Sequence, residues 1–187
     1  MKKIIIIIVL LLSSNTAFST VLFETGIGFS QGSFEYLGTS VKGDFKGLYL
    51  NARLCHNFDS GVFLGIDLRS YSLLNTVDGE SNFEASLLNT SRGFVIGFTP
   101  RKRLRLWFSY QFINSFDMPE SSTTTFNLVD GKGFIAGIGY MGIPWVSINL
   151  EYASYYFDEY KDGGLYSLSN DYSFQTFLIS FSFPIDL

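Results

Sequence analysis

The chain has 187 residues, 13 basic against 17 acidic side chains, and a net charge of −4. That length suits a single domain, the acidic balance argues against nucleic acid as a partner, and one cysteine, Cys55, excludes an intrachain disulfide.

The first element is a leader. Lys2 and Lys3 form a basic start, Ile4 to Leu12 a short apolar run, and Ala17-Phe18-Ser19 sets small residues at the −3 and −1 positions before Thr20. Residues 1–19 are predicted to be a cleavable secretory signal peptide, too short for a spanning helix. No cysteine lies near the cleavage point, so a lipid anchor is not expected. The remaining domain, 20–187, has 13 − 2 = 11 basic and 17 acidic residues, a net charge of −6. It holds no stretch apolar enough for a transmembrane helix.

Eight segments then alternate with a period of two, the signature of half-buried strands. Their apolar sets begin with Val21, Phe23, Ile27 and Phe29; Leu48, Leu50, Ala52 and Leu54; and Val62, Leu64, Ile66 and Leu68. Phe94, Ile96 and Phe98 follow, then alternate residues from Leu104 to Phe112, and Phe134, Ala136, Ile138 and Tyr140. The last two sets are Val146, Ile148, Leu150 and Tyr152, and Phe177, Ile179, Phe181 and Phe183. Three connections, at 57–61, 99–103 and 141–144, are short and rich in Gly, Pro, Asp and Asn. Four others, near 31–45, 73–91, 115–131 and 158–171, are expected to be long polar loops. Short turns at one end and long loops at the other describe an eight-stranded antiparallel up-and-down transmembrane β-barrel.

The two faces decide which solvent surrounds it. The apolar parity is large and aromatic and carries no charge between the strand ends. The other parity is mostly Gly, Ser, Asn and Gln with six charges: Glu24, Arg53, Asp67, Arg69, Arg105 and Glu151. The outside of a soluble barrel would be rich in Lys and Glu; small residues with scattered charges suit a narrow lumen. The apolar face is therefore expected to meet lipid. A soluble, lipocalin-like periplasmic barrel is the alternative.

On these features the chain resembles the small eight-stranded outer-membrane barrels of the OmpA/OmpX type. The resemblance covers residues 20–187 and rests on architecture. Family members close on a strand with a polar residue followed at five and seven positions by apolar or aromatic ones, as Thr176, Phe181 and Phe183 are spaced. Leu178 stands where the family has Gly, and Pro184-Ile185-Asp186-Leu187 extends beyond Phe183. The resemblance implies a bacterial outer-membrane location and a structural or surface-interaction role.

The six interior charges, three acidic and three basic, should pair, because a buried unpaired charge is costly. They are expected to close the lumen; a narrow channel for small solutes, with the same charges as a filter, is the alternative. Lys46, Arg92 and Lys132 each precede the first apolar residue of a strand by two, so all three should point outward at the outer rim. There they are candidate contacts for lipopolysaccharide phosphates. The partners expected are outer-membrane lipid, lipopolysaccharide and an extracellular ligand held by the long loops.

No catalytic site is expected. Lipid A acyl-modifying barrels use a His with Ser and an acid near the outer surface, whereas His56 ends a strand beside a short turn. Cys55 is expected as a lumen-facing free thiol. The segment 158–169 matches a calcium loop weakly through Asp158, Asp162 and Gly163, with Tyr160 and Ser169 at wrong positions. No metal or cofactor motif emerges.

Overall fold

The alternation produces strands throughout. The structure, a computed structural model, describes residues 20–36, 42–77, 85–101, 103–117, 127–161 and 165–186. The predicted leader and residues 162–164 of the candidate calcium loop lie outside the described residues. The strands are β1 (Thr20–Tyr36), β2 (Lys42–Asn57), β3 (Val62–Val77), β4 (Ala85–Arg101), β5 (Leu104–Asp117), β6 (Asn127–Val129), β7 (Lys132–Ile143), β8 (Val146–Lys161) and β9 (Leu165–Asp186). β6 and β7 both lie between β5 and β8, as two pieces of one barrel strand interrupted at Asp130, whose φ is 52°. Every pairing is antiparallel and β1 closes on β9, giving a ring of eight strands. The expected fold class is borne out.

The register sets the barrel's proportions. Stepping across paired residues leads from Glu24 to Arg53, Asp67, Gly93, Gln111, Gly133, Tyr155, Phe174 and back to β1 at Phe34. The displacement is 34 − 24 = 10 residues. A shear of that size over eight strands tilts each strand by about 40° from the axis.

The expected apolar sets face outward. Leu48, Leu50, Phe94, Ile96, Phe177 and Phe181 are each more than half exposed. With this tilt the outward apolar residues run from Val21 to Leu48, Phe112 and Phe177 over roughly 23 Å along the axis, the height of an outer-membrane apolar band.

The expected long loops are corrected. β1 runs on to Tyr36 and β2 begins at Lys42; β3 reaches Val77, β4 starts at Ala85, and β8 and β9 extend to Lys161 and from Leu165. Within the expected loops, inward positions hold Phe34, Phe45, Leu73, Phe116 and Leu128, which a reading by overall polarity overlooks. β9 also continues beyond Phe183, pairing Asp186 with Leu22.

Bulges shift the alternation. Phe112 and Ile113 are both exposed, and beyond them Asn114 and Phe116 turn inward. The β4–β5 register slips at the same point. A bulge adds one residue to one strand and re-aims the side chains beyond it.

Candidate functional site

The interior parity of β1, β2 and β3 sets Glu24, Arg53 and Asp67 side by side, since these residues are direct register partners. Arg69 lies two residues along β3 on the same face, and Arg105 and Glu151 enter from β5 and β8. All six are less than 5% exposed. The curvature of the narrow barrel turns these separate strand positions into one network.

Glu151 is its hub. It accepts hydrogen bonds from Arg53 Nη2 (2.5 Å), Arg69 Nη1 and Nη2 (2.8 and 2.7 Å), the Tyr49 hydroxyl (3.0 Å) and the Trp107 indole (2.9 Å). Arg69 Nε also donates to Asp67 at 3.0 Å. Arg53 lies 3.4 Å from Asp67 and 3.6 Å from Glu24, and its guanidinium sits 4.5 Å from the centre of the Trp107 ring. Arg105 forms a two-pronged pair with Glu24 at 3.0 and 2.6 Å, and Ser182 donates to the same carboxylate. Planar guanidinium forks suit such shared carboxylates. With three charges of each sign, these six side chains carry no excess charge.

Apolar layers lie on both sides. Toward the short turns, Leu22, Cys55, Phe63, Val95 and Trp107 form one cluster. Cys55 is a free thiol, 3% exposed, on the lumen side. Toward the long hairpins, the Tyr71 and Tyr155 hydroxyls meet at 2.7 Å. Above them Phe34, Phe45, Phe116, Phe157 and Phe174 pack together, Phe116 stacked on Phe174 at 4.5 Å. Two glycines make room for the packing. A Cβ at Gly97 would meet the Phe63 ring at 2.0 Å, and one at Gly137 the Trp107 ring at 2.3 Å.

The sequence reading missed the neutral partners Tyr49 and Trp107 and the aromatic layer. The signal was present: Tyr49, Asn51 and Arg53 share a parity, as do Arg69, Tyr71 and Leu73, and Arg105 and Trp107. One seam of the interior is less satisfied. Asn89 Oδ1, Ser91 Oγ, Gln111 Oε1 and both polar atoms of the Asn114 amide are buried without a hydrogen-bond partner, side by side on β4 and β5.

Lys46, Arg92 and Lys132 are exposed on the outward face. They do not converge. They stand on β2, β4 and β7, alternate strands of the ring, a quarter-turn apart. The expectation of a common height is corrected as well. Register and tilt put Arg92 roughly 6–9 Å nearer the short turns than the two lysines, level with Phe112 and beside Phe94, whose rings stack at 4.8 Å. The register causes the difference: stepping across from Lys46 leads through Leu74 to Ser86, and Arg92 stands six residues further down β4. His56 is at the short-turn end, its ring edge-on to Phe58 at 4.7 Å.

Solved structures share this fold. Ail of Yersinia pestis matches over 88% of this chain and 99% of its own, with a TM-score of 0.59 and 13% identity. The Neisserial surface protein NspA matches over 88% and 97%, with a TM-score of 0.53 and 11% identity. This is the fold of the small eight-stranded outer-membrane barrels. OprG from Pseudomonas aeruginosa adds a third example, over 91% and 99% of the two chains, at a TM-score of 0.52 and 13% identity. One Ail structure is a complex with the heparin analogue sucrose octasulfate. No protein-family model matches the chain, and no curated protein matches it in sequence. At these identities the outer-membrane barrel fold is what the chain and its neighbours share.

Proposed function

We propose that the protein is a bacterial outer-membrane barrel, exported by removal of residues 1–19, whose role is structural or surface interaction rather than transport. The observation that carries this reading is the filled lumen. A closed charge network lies between two apolar layers. Eight strands enclose little beyond their own side chains, so function falls to the outer hairpins and the exterior. The short turns face the periplasm in this reading.

The outer end is acidic. By sequence position Glu35 and Asp44, Asp78, Glu80 and Glu84, Asp117, Glu120 and Asp130, and Asp158, Glu159, Asp162 and Asp171 fall at or between the long-hairpin strand ends. That is twelve of the 17 acidic residues. A cationic surface partner suits this rim, whereas a polyanion such as the sulfated sugar bound by Ail would be repelled. Lys46 and Lys132, just above the apolar band, would pair with lipopolysaccharide phosphates. Arg92 would reach that level only with its side chain extended along the barrel.

The test is single-channel conductance of the refolded protein in a planar bilayer, with Arg105→Ala in parallel. Silence from the inserted wild type is expected. Steady ion-selective steps that change in Arg105→Ala would overturn it. They would favour the second reading, a narrow solute channel, which draws on the unpaired polar atoms of the seam, Asn89 Oδ1, Gln111 Oε1 and the Asn114 amide.

A further inference from the structure

The short-turn end carries a feature that the lumen does not explain. The β4–β5 turn reads Thr99-Pro100-Arg101-Lys102-Arg103, three consecutive bases in a chain whose net charge is −4. Arg101 and Arg103 are exposed. The next turn of the ring, between β7 and β8, lies against it: Met141 N donates to the Arg103 carbonyl at 2.8 Å. Between the two turns is a recess of about 290 Å³ lined by Arg103, Met141, Gly142, Ile143 and Pro144. A Cβ on Gly142 would meet nothing within 4 Å, so the recess is open there. Beside it Ile143 is 51% exposed and Trp145 66% exposed. The nearest acid by position is Asp59, on the adjoining β2–β3 turn, which touches this one through Thr99 N and the Gly61 carbonyl. Among the described residues no ion pair joins Asp59 to Arg101 or Arg103, so the turn keeps an excess of positive charge.

We propose that this recess binds the head group of an anionic glycerophospholipid in the leaflet at the short-turn end. The phosphate would lie against Arg101 and Arg103, and the glycerol and upper acyl chains against Ile143 and Trp145. Two cations and an exposed tryptophan at one membrane level match the two parts of such a lipid. Tryptophan settles at the boundary of head groups and chains, and each nearby Lys or Arg favours an anionic lipid by about five-fold. A zwitterionic head group brings its own cation and gains little. The site rests on the membrane-barrel reading above, and it differs from the outer-rim cations in position and in the leaflet it serves.

Trp145 reports on it directly. The chain has two tryptophans, and Trp107 is enclosed in the lumen, a constant background to lipid-borne quenchers. The barrel is refolded into phosphatidylcholine vesicles containing a minor fraction of acyl-brominated phosphatidylglycerol or acyl-brominated phosphatidylcholine. Brominated phosphatidylglycerol is expected to be enriched around Trp145 by at least about five-fold. The double variant Arg101→Gln/Arg103→Gln should lose the enrichment, while Lys46→Gln/Lys132→Gln should retain it. Equal quenching by the two lipids in wild type would overturn the proposal. So would enrichment that survives in the arginine double variant, given that each variant shows the heat-dependent gel shift of a folded barrel. Failure of the membrane reading looks different: neither lipid quenches Trp145 and no shifted band forms.

Discussion

Replacing Glu151 by Gln tests whether the network is a dry plug. The substitution keeps the shape of the side chain and removes one charge. Five hydrogen bonds now end on the two Glu151 oxygens, three of them from Arg53 and Arg69. Gln offers one oxygen and points an amide donor at groups that are themselves donors. Arg53 keeps Asp67 and Glu24, and Arg69 keeps Asp67, but the interior is left with three cations and two carboxylates. Breaking a buried pair in this way costs about 3–5 kcal/mol, a large part of the stability of a small domain. The assay is urea unfolding of the barrel refolded in phospholipid vesicles, followed by tryptophan fluorescence. Adding Arg69→Gln restores the charge balance and should recover at least ~1 kcal/mol, since neighbouring substitutions couple by about 0.5–3 kcal/mol. A loss under ~1 kcal/mol for Glu151→Gln alone would mean that water reaches the network and replaces the missing partner. The closed-lumen argument would then fail.

Other consequences are independent of that network. Gly137→Ala puts a methyl into the Trp107 ring and should destabilise by about 1–3 kcal/mol in the same unfolding assay; an unchanged midpoint would mean that the ring moves freely. Phe174→Ala removes a side chain touching Phe34, Phe116 and Phe157 and should cost about 3–5 kcal/mol. The same variant should stay silent in planar bilayers, because the ion-paired layer remains. Cys55 should resist a maleimide in the folded barrel and react once urea unfolds it; labelling of the folded state would contradict its placement. Arg92→Leu should stabilise the barrel in zwitterionic vesicles by up to about 1 kcal/mol, the cost of an Arg near the edge of the apolar band. In vesicles with lipopolysaccharide the gain should shrink, and an equal gain in both would argue against a phosphate contact there.

The two faces of the barrel were legible in the sequence because a strand alternates strictly. Once Leu104, Leu106 and Phe108 share a parity, Arg105 and Trp107 must lie opposite them. The same rule placed all six interior charges on the lumen side and made the ring of eight strands readable from eight apolar sets. Alternation is local, however, and it fails wherever a bulge inserts a residue. Past Phe112 and Ile113 the parity reverses, so Phe116 enters the core from a segment that resembles a polar loop. Strand length was hidden for a related reason: Phe34, Phe45 and Phe116 enter the core from stretches rich in polar residues, whose average composition mimics a connection. Which charges meet was decided only by tertiary structure. Glu151 lies 98 residues from Arg53 and 82 from Arg69, on strands that are not neighbours in the ring. Their contact depends on closure and on a shear of ten residues, which bring opposite walls of a narrow barrel within reach of long side chains. No local pattern encodes that distance. Pairing of every strand around the ring does.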